Sequence, residues 1–130
     1  MAKSVKKYIC NAPLGFLGVD VVADPTTGGG EFRPRDGVTC RPTMTIGTSE
    51  NWGWTVGVLV HEAMEACLQL AEHRYRCCVV SDYESDGTTG ILFSFSHDDF
   101  NRATNDVGSF VAKVLPLLKT YWDSAHKGDK

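Results

Sequence analysis

Apolar positions divide the chain into two unlike halves. In the first, apolar and β-branched residues come in short runs, "KSVKKYIC", "GFLGVDVVA" and "CRPTMTIGT", which read as strands, with "NAPLG" as a turn between the first two. In the second, the period lengthens. At 100° per residue, Val56, Leu59, Val60, Ala63, Met64, Cys67, Leu70 and Ala71 share one broad face, which predicts an amphipathic helix. Its opposite face carries His61, Glu62, Glu65, Gln69, Glu72 and His73, with Trp54 near its start and Ser49 or Thr55 as the cap. The runs "YRCCVVSDY" and "GILFSFS" flank "ESDGTT" and predict a hairpin. A last helix is expected from Ser96. Phe100, Ala103, Val107, Phe110, Val111, Val114, Leu117, Leu118 and Trp122 repeat on its core face. Pro116 lacks a backbone donor and predicts a kink or break near residues 112–116.

These elements predict one α+β domain over residues 1–130: a small, mainly antiparallel sheet with two main helices packed on one face. The stretch from Asp24 to Gly37, "DPTTGGGEFRPRDG", is rich in Gly and Pro and without periodicity, so it is expected as a mobile loop. The tail, about residues 124–130, is expected to fray.

Composition narrows the class. With 42% apolar and 22% charged residues, the chain has the balance of a water-soluble domain, and no apolar run approaches membrane-spanning length. The basic "MAKSVKKYIC" is followed by no apolar signal core, so a cytosolic location is expected. The five cysteines are odd in number and show no C-x-x-C spacing, which argues for free thiols over disulfides or a zinc knuckle. The net charge of −3 is unevenly spread, because residues 48–106 hold ten acidic and three basic residues. A nucleic-acid binder would show a basic stripe instead. Central acidity suits a cation site or a basic protein surface.

The first helix contains His61-Glu62-Ala63-Met64-Glu65. Metal hydrolases with H-E-x-x-H on a helix place two ligands at i and i+4, side by side, and use the intervening Glu as base. Here Glu65 takes the place of the second histidine, and a carboxylate is a legitimate zinc ligand. Candidate metal ligands are thus His61 and Glu65, with His97 of "FSHDDF" as the third and Glu62 as the general base. Two histidines and a carboxylate suit a divalent ion, zinc first, then iron or manganese. The plainer alternative is that every one of these residues lies where an amphipathic helix must be polar anyway. His73 beside Arg74 reads as a C-terminal helix cation, and His126 in the tail is given no role.

Across about Thr45 to Trp122, the segments "HEAMEA", "HRYR" and "FSHDDFNRATNDVGSFVAKVLP" resemble small phage- and prophage-encoded proteins with a zincin-like HExxE or HExxH helix. The resemblance implies a minimal zincin-like α+β fold in a host cytosol. A carboxylate ligand lowers the net positive charge on a metal and makes its bound water a weaker acid, which counts against peptidase activity.

Three readings therefore stand side by side. One is a metal-binding, zincin-like protein, with or without activity as a metal-dependent hydrolase. Another is a phage-encoded inhibitor of the anti-CRISPR kind, without chemistry, whose acidic middle would dock on a basic host protein. The third is an accessory protein that acts through a small oligomer interface. None calls for direct nucleic-acid or membrane contact. Trp52 and Trp54 would line a pocket, anchor an interface or pack in the core.

Overall fold

The computed structural model describes residues 6–37, 40–70, 78–79, 91–92 and 97–127; for 68–70, 78–79, 91–92, 97 and 99 only the backbone is described. Four strands, β1 (Lys7–Leu14), β2 (Leu17–Asp24), β3 (Gly30–Arg33) and β4 (Thr43–Gly47), form one sheet in the order β1-β2-β4-β3. Helix α1 (Trp52–Leu70) follows, then a short antiparallel pair, β5 (Cys78–Val79) with β6 (Ile91–Leu92), and finally α2 (His97–Ala125). This is the expected α+β architecture, with two antiparallel pairings and one parallel pairing in the main sheet.

The first two strands form a hairpin. Leu14 pairs with Leu17 across a two-residue turn, and Gly15 opens that turn with φ 64°, a conformation costly for any side chain. The strand β1 runs through "NAPL", further than its turn-like sequence suggests. Pro13 is tolerated there because β1 lies at the sheet edge, where one row of amides needs no partner.

The Gly- and Pro-rich segment is less loop-like than its composition. It contributes β3, and its backbone before β3 is bonded to the β4–α1 junction. Thr48 donates to the Asp24 carbonyl (3.0 Å), Gly47 to that of Gly29 (2.7 Å), and Ser49 to that of Thr27 (3.1 Å). Gly47 is required by this approach, because a Cβ there would lie 2.3 Å from the Gly29 oxygen. Strand β4 is thereby inserted between β2, to which it is parallel, and β3.

Alternation puts Val19, Val21 and Ala23 of β2 on the same sheet face as Met44 and Ile46 of β4, all fully buried. On the helices, Leu59, Ala63, Ala66 and Cys67 of α1 meet Ala103, Val107, Phe110, Val114 and Leu118 of α2 in the same core. The α2 stripe agrees with the sequence expectation, except that Phe100 and Leu117 are exposed. Helix α2 passes through Pro116 unbroken and reaches Ala125.

The buried face of α1 differs from its apolar face. Thr55, Leu59, Glu62, Ala63, Ala66 and Cys67 are buried, whereas Val60 and Met64 are 40% and 39% exposed. The helix is turned so that Glu62 points inward. Its cap also differs from expectation: the Asn51 side chain accepts from the Trp54 amide at 2.8 Å, the usual N-cap bond, while Thr55 lies inside the helix.

Candidate metal centre and adjoining cleft

Residues one helical turn apart project side by side, and α1 uses this to bring His61 Nε2 within 3.6 Å of Glu65 Oε2. Glu62 joins them from the next position. Ligand atoms of all three side chains lie within 4.8 Å of one another, and together they can hold a metal ion. His61 and Glu65 are exposed, while Glu62 is only 5% exposed. The sequence reading put Glu62 on the wet face; its inward rotation is the main difference.

That rotation has an electrostatic cost. Burial pushes the Glu62 carboxyl above its ordinary pKa, the negative charges of Glu65 and Glu31 push it the same way, and His61 opposes them. Among the described residues no group donates a hydrogen bond to it. Its oxygens are not sealed in, since the fully buried side-chain polar atoms without a partner among the described residues are Thr48 Oγ1 and Trp122 Nε1. A largely buried carboxyl with a raised pKa and an opening to solvent is the kind of group that functional sites retain.

Glu62 sits at one end of a cleft of about 670 Å³ between α1 and the start of β3. One wall is the backbone of Gly28, Gly29 and Gly30. The opposite wall is α1, where Gly53 and Gly57 leave a hollow and Val58 supplies an apolar surface. Trp54 stands at the other end, 59% exposed, and its indole N–H donates to the Gly28 carbonyl at 2.7 Å, tying α1 to the glycine wall. Gly30 must be glycine for the walls to close, since a Cβ there would lie 2.7 Å from both Glu62 Cγ and Val58 Cγ1.

The third expected ligand, His97, is the first residue of α2, and its side chain is outside the described part of the structure. Trp122, near the other end of that helix, packs on Trp52 at the start of α1 with ring centroids 5.9 Å apart. At ~1.5 Å per residue, α2 carries His97 roughly 37 Å from that contact, whereas His61 is roughly 13 Å from it along α1. His73, Glu72, Asp82, Glu84 and Asp86, which bear on the acidic-surface reading, lie outside the described residues.

At the Trp52–Trp122 end the sequence reading missed a cluster. Lys119 Nζ lies 5.0 Å from the centroids of both rings, and His126 stacks on Trp122 at 4.0 Å with its Nδ1 2.9 Å from the Trp122 carbonyl. The i, i+3 and i+4 spacing of Lys119, Trp122 and His126 was the available signal. Cys10, Cys40 and Cys67 form no disulfide among the described residues, and are half-buried, exposed and buried in turn.

Comparison with protein-family models, curated proteins and solved structures finds no match. No helix among the described residues is long and apolar enough to cross a membrane.

Proposed function

We propose that this protein binds a divalent metal ion at His61 and Glu65, zinc first, and uses it for hydrolytic chemistry on a substrate held in the adjoining cleft. The observation that carries the reading is the convergence of His61, Glu62 and Glu65, the first two of which line a concave, largely apolar surface. A bound divalent ion would act as a Lewis acid and lower the pKa of water. Glu62 is the base in this reading. Its carboxyl lies next to the ligand pair, and a raised pKa favours accepting a proton over remaining charged.

Glu65 in place of a second imidazole leaves the ion less electropositive, so the activity expected is modest and suited to activated esters or amides. The zincin-like resemblance of the sequence supports the same assignment. The position of His97 at the remote end of α2 favours completion of the metal's shell by water or substrate.

The test is elemental analysis of protein purified without an affinity tag, beside His61→Ala, Glu65→Ala and His97→Ala. About one equivalent of zinc, lost in the first two variants and kept in the third, is expected. Protein that carries no metal in any sample, and whose melting temperature does not respond to added zinc, iron or manganese, would sink the reading.

A further inference from the structure

The cleft holds a second recognition problem that a metal at His61 and Glu65 does not solve. Its long wall is apolar and unusually bare, because Gly53 and Gly57 stand one turn apart on the same side of α1. A Cβ built on Gly57 meets nothing within 4 Å, so the space above it is open. Gly57 lies in the helix interior, where glycine is disfavoured relative to alanine, and Gly53 lies in the first turn. Two glycines facing one hollow fit a wall shaped for close approach of another molecule.

The end of the cleft is the opposite in character. Glu62 lines it, is nineteen-twentieths withdrawn from solvent on the 5% figure above, and has no donor among the described residues. Among the described residues His61 is the basic side chain that lines the cleft with it, and neither Lys nor Arg does. Buried carboxylates in folded proteins are ordinarily paired or hydrogen-bonded, so an unpaired one facing a cavity marks where a ligand's cation or donor belongs. Glu31 and Glu65 reinforce the sign, since both act electrostatically on Glu62.

The length is also set. Trp54 and Glu62 are eight positions apart on α1, a distance of roughly 12 Å along the helix. A cleft of about 670 Å³ falls in the size range of small-molecule sites.

We infer that the cleft binds a small organic amine: an apolar, preferably aromatic body laid along Gly53, Gly57 and Val58 below Trp54, with its ammonium group against the Glu62 carboxylate. The inference goes beyond metal binding and does not depend on it. A metal at His61 and Glu65 and an amine at Glu62 would occupy neighbouring positions, which makes such amines substrates or inhibitors of any chemistry at the centre.

The probe is 4-phenylbutylamine, whose length approaches that of the cleft, with 4-phenylbutan-1-ol as a neutral control of the same shape. Both are titrated into metal-free, ¹⁵N-labelled full-length protein and followed by the backbone amide resonances of Gly28, Gly53 and Gly57 and the indole resonance of Trp54. The amine is expected to shift these four resonances and to bind at least ~10-fold more tightly than the alcohol, the discrimination expected for one charge-assisted contact. Glu62→Gln should remove that preference, and Gly57→Ala, whose methyl enters the hollow without meeting a neighbour, should weaken both compounds. Amine binding is read on metal-free protein and metal content by elemental analysis, so the two assignments fail separately. Equal affinity for amine and alcohol, an amine preference that survives Glu62→Gln, or no shift of the glycine resonances at millimolar amine would overturn the inference.

Discussion

Asp24 and Glu62 are both withdrawn from water, 9% and 5% exposed, yet their surroundings treat them in opposite ways. Asp24 ends β2 and its carboxylate accepts from the Thr26 amide at 2.9 Å and the Thr26 hydroxyl at 2.5 Å. Those bonds hold its pKa below the ordinary aspartate value despite burial. Glu62 has burial without bonds, and its pKa moves up. The first carboxylate fixes a turn; the second leaves an open electrostatic position beside a cleft. Burial alone does not distinguish a structural acid from a functional one. The donors around it do.

The comparison can be broken at either end. The largest effect is expected at Asp24: replacement by Ala leaves the Thr26 amide unsatisfied and frees the turn that leads to the glycine wall. The expected loss is about 2–3 kcal/mol, read as a fall in melting temperature of roughly 8–12 °C. A change below 1 °C would mean that the turn holds without its carboxylate. Next is Gly30→Ala, whose new methyl meets Glu62 and Val58 and should cost about 1–2 kcal/mol in chemical denaturation. The same substitution placed in Glu62→Ala should cost less, because one of the two obstacles is gone; equal costs would show that the two sites do not touch.

The third effect has the opposite sign. Glu62→Gln keeps the shape and removes the charge, so metal-free protein should gain about 1 kcal/mol at neutral pH. A loss of stability there would place an unseen donor on Glu62. The smallest effects lie in the pH profiles of the two sites. The folded pKa of Asp24 is depressed, so its contribution is present above the unfolded value of 3.8 and lost as pH falls through the folded value. That of Glu62 is raised, so its contribution is present below the unfolded value of 4.5 and lost as pH rises through the folded one. The advantage of Glu62→Gln should therefore vanish at pH 4 and grow towards neutrality. An advantage constant from pH 4 to 8 would have a cause other than charge.

Much of this arrangement was legible in the residues, and the failures share a physical reason. The α2 stripe from Ala103 to Leu118 could be read because every core position on it is apolar. His61 and Glu65 could be paired because i, i+4 spacing guarantees neighbourhood on any helix. The rotation of α1 could not, since it exposes Val60 and Met64 and buries an acid, against the rule that periodicity relies on. Strand β3 was hidden for a similar reason. Gly30 faces inward but carries no side chain to announce it, which leaves Phe32 as the strand's one large inward residue. Asn51 was a missed signal of the ordinary kind, a good N-cap residue standing immediately before the helix.

The three tryptophans are placed in a way that has a practical consequence. Trp52 and Trp122 pack on each other near Lys119, and His126 lies flat on Trp122. Trp54 stands apart, half in solvent, with its N–H fixed to Gly28 at the mouth of the cleft. The chain thus carries an optical gauge at its cleft, apart from the packed pair of Trp52 on the same helix and Trp122 on α2. A change in Trp54 emission is expected when a molecule enters the hollow, and a Trp54→Phe variant isolates that signal without a label.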